Sequence, residues 1–143
     1  NFTQNVGLIG VWSTTNSVST TKFEMGQIAS TQIGINCGYN TTNMAAGING
    51  GLGQFANGST SVGHLACSRT ASAGQNGHRN GAYVAYNVNV SSAPGNSNFC
   101  LLRRNTGYSD RKLLVAYAGK LGSGNMALFD TALRNFLTTV GAI

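Results

Sequence analysis

The chain has 143 residues, 41% of them apolar, enough for one domain with a single sizeable core and too patterned for disorder. Its three acids, Glu24, Asp110 and Asp130, stand against nine Lys and Arg, a formal balance of +6. So few carboxylates leave little material for a hydrolase dyad or a carboxylate-rich metal site, and the positive excess points to a polyanionic partner. In chain order, residues 6–13 are apolar and β-branched, 13–19 form a polar turn, and 20–25 read as the second arm of a hairpin. Residues 27–37 alternate in part and predict a strand. Residues 38–60 are rich in Gly, Asn and Thr and read as a long loop, with a short turn of helix near Met44 to Ala46 as an option within it. Another strand is expected over 62–72, then a turn-rich link over 73–81.

Residues 82–90 alternate well, with Ala82, Val84, Tyr86, Val88 and Val90 on one face and Tyr83, Ala85, Asn87 and Asn89 on the other. Residues 91–97 hold Pro94, the one proline, and read as a loop; 98–105 read as the last strand. The period then changes. Ser109 and Asp110 suit a helix start, and Leu113, Leu114, Tyr117, Ala118 and Leu121 form a stripe that Gly122 would end. A second helix is expected over about 125–139 from Met126, Phe129, Leu133, Phe136, Leu137 and Val140. Strands followed by two helices give an α+β fold, an antiparallel sheet with an N-terminal hairpin and the helices on one face, over a single domain, 1–143. Two short helices joined at Gly122–Gly124 reach poorly over a wide sheet, which suggests burial on a partner's sheet in a two-fold dimer.

Little in the chain suggests catalysis. Neither His64 nor His78 sits in a recognisable nucleophile or zinc motif, and the glycine runs lack the Lys-Ser/Thr of a phosphate loop. Cys37, Cys67 and Cys100 are odd in number, without a CxxC, so zinc is unsupported; Cys67 and Cys100 suit small buried strand positions. No cofactor and no metal are expected. No run of about 18 apolar residues is present, so no membrane-spanning helix is expected.

Three strings carry a resemblance: Asn1-Phe2-Thr3-Gln4 before an apolar strand; Ala66-Cys67-Ser68-Arg69, then a polar turn, His78-Arg79-Asn80 and the strand from Tyr83; and Tyr108-Ser109-Asp110 before the closing helices. In this order they resemble the coat proteins of small single-stranded RNA bacteriophages. The resemblance implies a homodimer with helices exchanged over the partner's sheet and an icosahedral shell. It implies binding of the RNA genome on the other sheet face, repression of translation through an RNA hairpin, and a virion assembled in the bacterial cytoplasm. Residues 38–60 depart from the family pattern.

RNA binding needs cations facing one way and polar or aromatic groups to meet unpaired bases. If Leu65 and Cys67 pack under the helices, His64, Ser68 and Thr70 face RNA and Arg69 does not, unless a bulge reverses it. Tyr83, Asn87 and Asn89 offer a second part of that face. Arg103 and Arg104 must point to opposite faces of a regular strand; the register favours Arg103. Arg111, Lys112 and Lys120 are expected on a solvated helix face. The rival reading is a secreted or fimbrial β-rich adhesion or binding module free of nucleic acid, consistent with low charge and abundant Gly, Asn, Ser and Thr.

Overall fold

A computed structural model describes residues 5–27, 33–56, 58, 60–93, 98–104, 107–120 and 125–143. The strands are β1 (Gly7–Ser13), β2 (Met25–Gln27), β3 (Ile33–Asn36), β4 (Asn43–Ile48), β5 (Gly53–Ala56), β6 (Gly63–Ala71), β7 (Gly74–Arg79), β8 (Ala82–Asn87), β9 (Phe99–Leu101), β10 (Arg103–Arg104), β11 (Gly107–Tyr108) and β12 (Leu113–Gly119). They are followed by α1 (Met126–Thr139). Two antiparallel five-stranded sheets form, ordered β12-β1-β6-β7-β8 and β5-β4-β3-β2-β9, with β10-β11 as a separate pair. Apolar residues from both five-stranded sheets share one core: Ile9, Val11, Leu65 and Cys67 meet Met25, Ile35, Met44, Ile48 and Phe55. The result is a sandwich, since each sheet buries one face against the other.

This architecture corrects the expected single sheet carrying two C-terminal helices. Only the second helix forms among the described residues. Its C-terminus closes with Gly141 at φ 70°, the Ala142 N–H donating to the Leu137 carbonyl at 2.8 Å and the Gly141 N–H to that of Thr138 at 3.0 Å. The segment expected as the first helix is β12, paired with β1 from Leu8↔Gly119 to Ser13↔Leu113. Its run Leu-Leu-Val-Ala-Tyr-Ala is short enough to suit either period, and β1 offers it an open edge. A register shift at Trp12/Ser13 lets both Leu113 and Ala116 reach the core, which mimics helical spacing. Residues 121–124, with the expected stop at Gly122, lie outside the described residues. With β12 inside the sandwich, the expected pair of exchanged helices is absent.

Other expectations change as well. β1 and β2 lie in different sheets, so they are not a hairpin. The expected loop over 38–60 contains β4 and β5, with β4 running through Met44 to Ala46 where a turn of helix was an option, and the link over 73–81 contains β7. Glycine composition hid these strands, although the glycines serve the packing: a Cβ on Gly77 would overlap the Phe55 ring. Gly77→Ala should therefore lower stability by about 1–3 kcal/mol, read by thermal or urea unfolding. The expected strand over 98–105 is broken by Leu102 at φ 55°, which sets off β10; residue 105 lies outside the described residues, as do 28–32 of the strand expected over 27–37. The β7–β8 hairpin turns on Asn80 (φ 49°) and Gly81 (φ 79°), the two positive φ angles that a two-residue primed turn requires.

Buried polar side chains tie the layers together. Arg111, expected on a solvated helix face, is 2% exposed and ion-pairs with the fully buried Glu24. Its guanidinium also donates to Asn36 Oδ1 (3.1 Å), Ser17 Oγ (2.9 Å) and the carbonyls of Ser17 (2.9 Å) and Gly38 (3.1 Å). Glu24 accepts further bonds from the Cys37 N–H and the Ser109 hydroxyl. Arg69, also fully buried, donates to the carbonyls of Ile48 (2.6 Å), Asn89 (2.8 Å) and Ser72 (3.2 Å). Gln75 bridges the sheets through Ala46, Ile48 and Gly51.

Candidate functional site

The outer face of the first sheet is divided. One half carries α1, with Met126 and Phe129 against Leu8, Ala66 and Tyr117. A polar chain runs beneath the helix. The Tyr117 hydroxyl lies 2.6 Å from His64 Nε2, and His64 Nδ1 lies 2.7 Å from Asp130 Oδ1. The second Asp130 oxygen accepts from Arg134 Nε at 3.0 Å, and Arg134 lies over the Trp12 ring. A neutral imidazole protonated on Nδ1 satisfies both contacts, donating to Asp130 and accepting from Tyr117.

A hydroxyl, an imidazole and a carboxylate in series resemble a nucleophile with its base and orienting group. The chemistry differs, however. The Tyr117 hydroxyl lies against Gly10, where even a methyl group would overlap it, so it faces the sheet rather than a substrate. Burial raises its pKa, the opposite of activation. Burial also lowers the pKa of His64, against the opposing hydrogen bond and charge of Asp130. The chain is best explained as the pin that fastens α1 to the sheet.

The helix also reaches the β7–β8 turn, where a Cβ on Gly81 would meet Asp130 and Ala127; beyond that turn, β7, β8 and the end of β6 form the other half of this face. Its floor is Ser68, whose hydroxyl lies 2.9 Å from His78 Nε2; both residues are buried. Burial, then the nearby His64, lowers the His78 pKa to about 4. Above them stand Tyr83 and Tyr86, 61% and 49% exposed. In a regular strand, residues three apart would face opposite ways. The β7–β8 ladder shifts between Gly77 and His78, pairing His78 with Tyr83 and Asn76 with Tyr86. Asn76 and His78 share a face of β7, so the shift brings both tyrosines onto it. Tyr83 meets His78 edge-on at 6.3 Å, and the Tyr86 ring crosses Gly74, where a Cβ would overlap it. No family model matches the chain, and no curated protein matches it.

The uncharged stretches Gly74–His78 and Ala82–Asn87 form this platform. Arg79, next along β7, places its guanidinium by Gly58, on the side of the other sheet. Among the residues expected to meet RNA, Ser68 and Tyr83 do share this face, and Thr70 is exposed beside it at the end of β6. Ser68 is sealed from solvent. Arg69 faces inward with Leu65 and Cys67, as strand parity requires, but these pack against the second sheet, and α1 lies on the His64 and Ala66 face, the reverse of the expected arrangement.

Asn87 and Asn89 belong elsewhere. Asn87 packs beside Gly53 of β5, and the Asn89 amide donates to the Gly51 carbonyl at 2.8 Å. Both fasten the β8 end to the β4–β5 turn. Arg103 lies on the separate β10–β11 pair, its guanidinium 5.0 Å from the Tyr108 ring centre. Tyr86 and His78 were missed because simple alternation assigns Tyr86 to the opposite face. The Gly77-His78 and Val84-Ala85 pairs around the shift carry no bulge signature in the sequence. Among the described residues, no group of three or more His, Cys, Asp or Glu is arranged to hold a metal ion.

Proposed function

We propose that the chain is a β-rich binding module of the adhesion type, with the tyrosine platform of β7 and β8 as its ligand surface. The observation that carries this reading is an exposed aromatic pair, Tyr83 and Tyr86, on strand stretches Gly74–His78 and Ala82–Asn87 that carry no charged side chain. The distribution of positive charge supports it too. Arg69 and Arg111 are buried, Arg134 is paired with Asp130, and Lys22 lies 2.9 Å from Asp110. The +6 balance therefore overstates the cations free to meet a polyanion. The likeness to phage coat proteins drew in part on two closing helices, and among the described residues one helix forms.

One observation favours a second reading, contact with single-stranded RNA as in a coat protein. The β10–β11 pair presents Arg103 on the exposed Tyr108, a cation beside a stacking surface. Light scattering with the 260/280 nm absorbance ratio of the purified chain separates the readings. The binding-module reading expects a small particle free of nucleic acid. Large uniform shells carrying RNA would establish the coat reading in its place.

A further inference from the structure

We propose that the Tyr83–Tyr86 platform binds a neutral saccharide; this rests on the binding-module reading and names its ligand class. The Tyr83 ring stands at His78 and the Tyr86 ring crosses Gly74, four residues on along β7, a span of roughly 13 Å that suits a short oligosaccharide rather than one sugar ring. Both rings are held before any ligand arrives, Tyr83 against His78 and Tyr86 across Gly74. A preset ring loses little conformational freedom on binding. A pyranose presents an apolar face of C–H groups and a rim of hydroxyls. The tyrosine rings match the first, and the tyrosine hydroxyls and half-buried Asn76, on the same face of β7, match the second. Electrostatics narrows the class. A phosphate or sulfate would find no cation on Gly74–His78 or Ala82–Asn87, whereas a neutral sugar needs none. The register shift matters most here, since without it Tyr83 and Tyr86 would lie on opposite faces and could not serve one ligand.

The test is a titration of the full ¹⁵N-labelled chain with neutral gluco-, manno- and galacto-oligosaccharides of two to four units. Parallel arms use a sulfated oligosaccharide and a single-stranded RNA decamer. At least one neutral oligosaccharide should shift the amides of residues 74–78 and 83–87. Tyr83→Ala and Tyr86→Ala should each weaken it about tenfold, while Tyr83→Phe and Tyr86→Phe, which keep the ring, should stay within about threefold. Both tyrosines are exposed, so unchanged melting temperatures would show that the variants fold. Silence of the platform toward every neutral saccharide, or shifts elsewhere on the chain, would overturn the saccharide assignment and leave the binding-module reading to its own test. Shifts of these amides by RNA alone would overturn both.

Discussion

Arg111→Met should lower the unfolding free energy by about 3–5 kcal/mol, read by urea unfolding at neutral pH. The size follows from what remains behind. Glu24 is fully buried, and Arg111 is the cation paired with it. Without Arg111, the Glu24 carboxylate keeps its bonds from the Cys37 N–H and Ser109 hydroxyl but must stay charged in a dry interior or take up a proton. The carbonyls of Ser17 and Gly38 and the Asn36 amide oxygen lose a donor as well. The double variant Glu24→Met/Arg111→Met should recover part of the loss, because no unpaired charge remains. A loss below about 1 kcal/mol in the single variant would place Arg111 in solvent, where the sequence alone had it.

The second large effect lies beneath α1. Asp130→Ala should cost about 3 kcal/mol, since it leaves His64 Nδ1 and Arg134 without their shared carboxylate beside the core. Acid should weaken the native fold by a related route. Burial lowers the pKa of His64 and brings that of His78 to about 4, whereas in the unfolded chain both groups titrate near 6.5. Below that value the unfolded state binds more protons, so stability falls with falling pH. The loss begins near pH 6.5 and, for His78, levels off below about 4, with a limiting slope of about 1.4 kcal/mol per pH unit for each histidine. In Asp130→Ala the acid loss from His64 should be steeper, because the carboxylate that holds its pKa up is gone. Urea midpoints at pH 4, 5, 6 and 7 check both statements. Midpoints that rise on acidification would mean the histidines are charged in the native state.

Legibility tracked how local each signal was. The helix over 125–139 was visible because its stripe is long and keeps the 3.6 period. β6 was visible because Leu65 and Cys67 alternate with Ser68; parity set Arg69 apart from the Ser68 face, with a bulge left open as the alternative. Segment 113–119 misled because seven residues of Leu, Val, Ala and Tyr satisfy either period, and the choice was made by the open edge of β1. β4 and β5 were hidden by glycines, which a loop and a tightly packed strand use for different reasons. Charge misled most. Composition counts Arg69 and Arg111 as surface cations, while tertiary contacts take both inside. At the platform, Tyr83 and Ser68 could be read from the sequence, but Tyr86 could not, because a one-residue shift in the ladder reverses the face that alternation assigns.

The fold turns on residues 113–119: a strand completes the sandwich, whereas a helix returns the chain to the single sheet with two helices expected from the sequence. Backbone NOEs on the labelled protein decide this directly. The strand predicts cross-strand contacts along the register Leu8↔Gly119 to Trp12↔Val115, with strong sequential Hα–HN peaks. Strong sequential HN–HN peaks over 113–119, with no contact to β1, would contradict it.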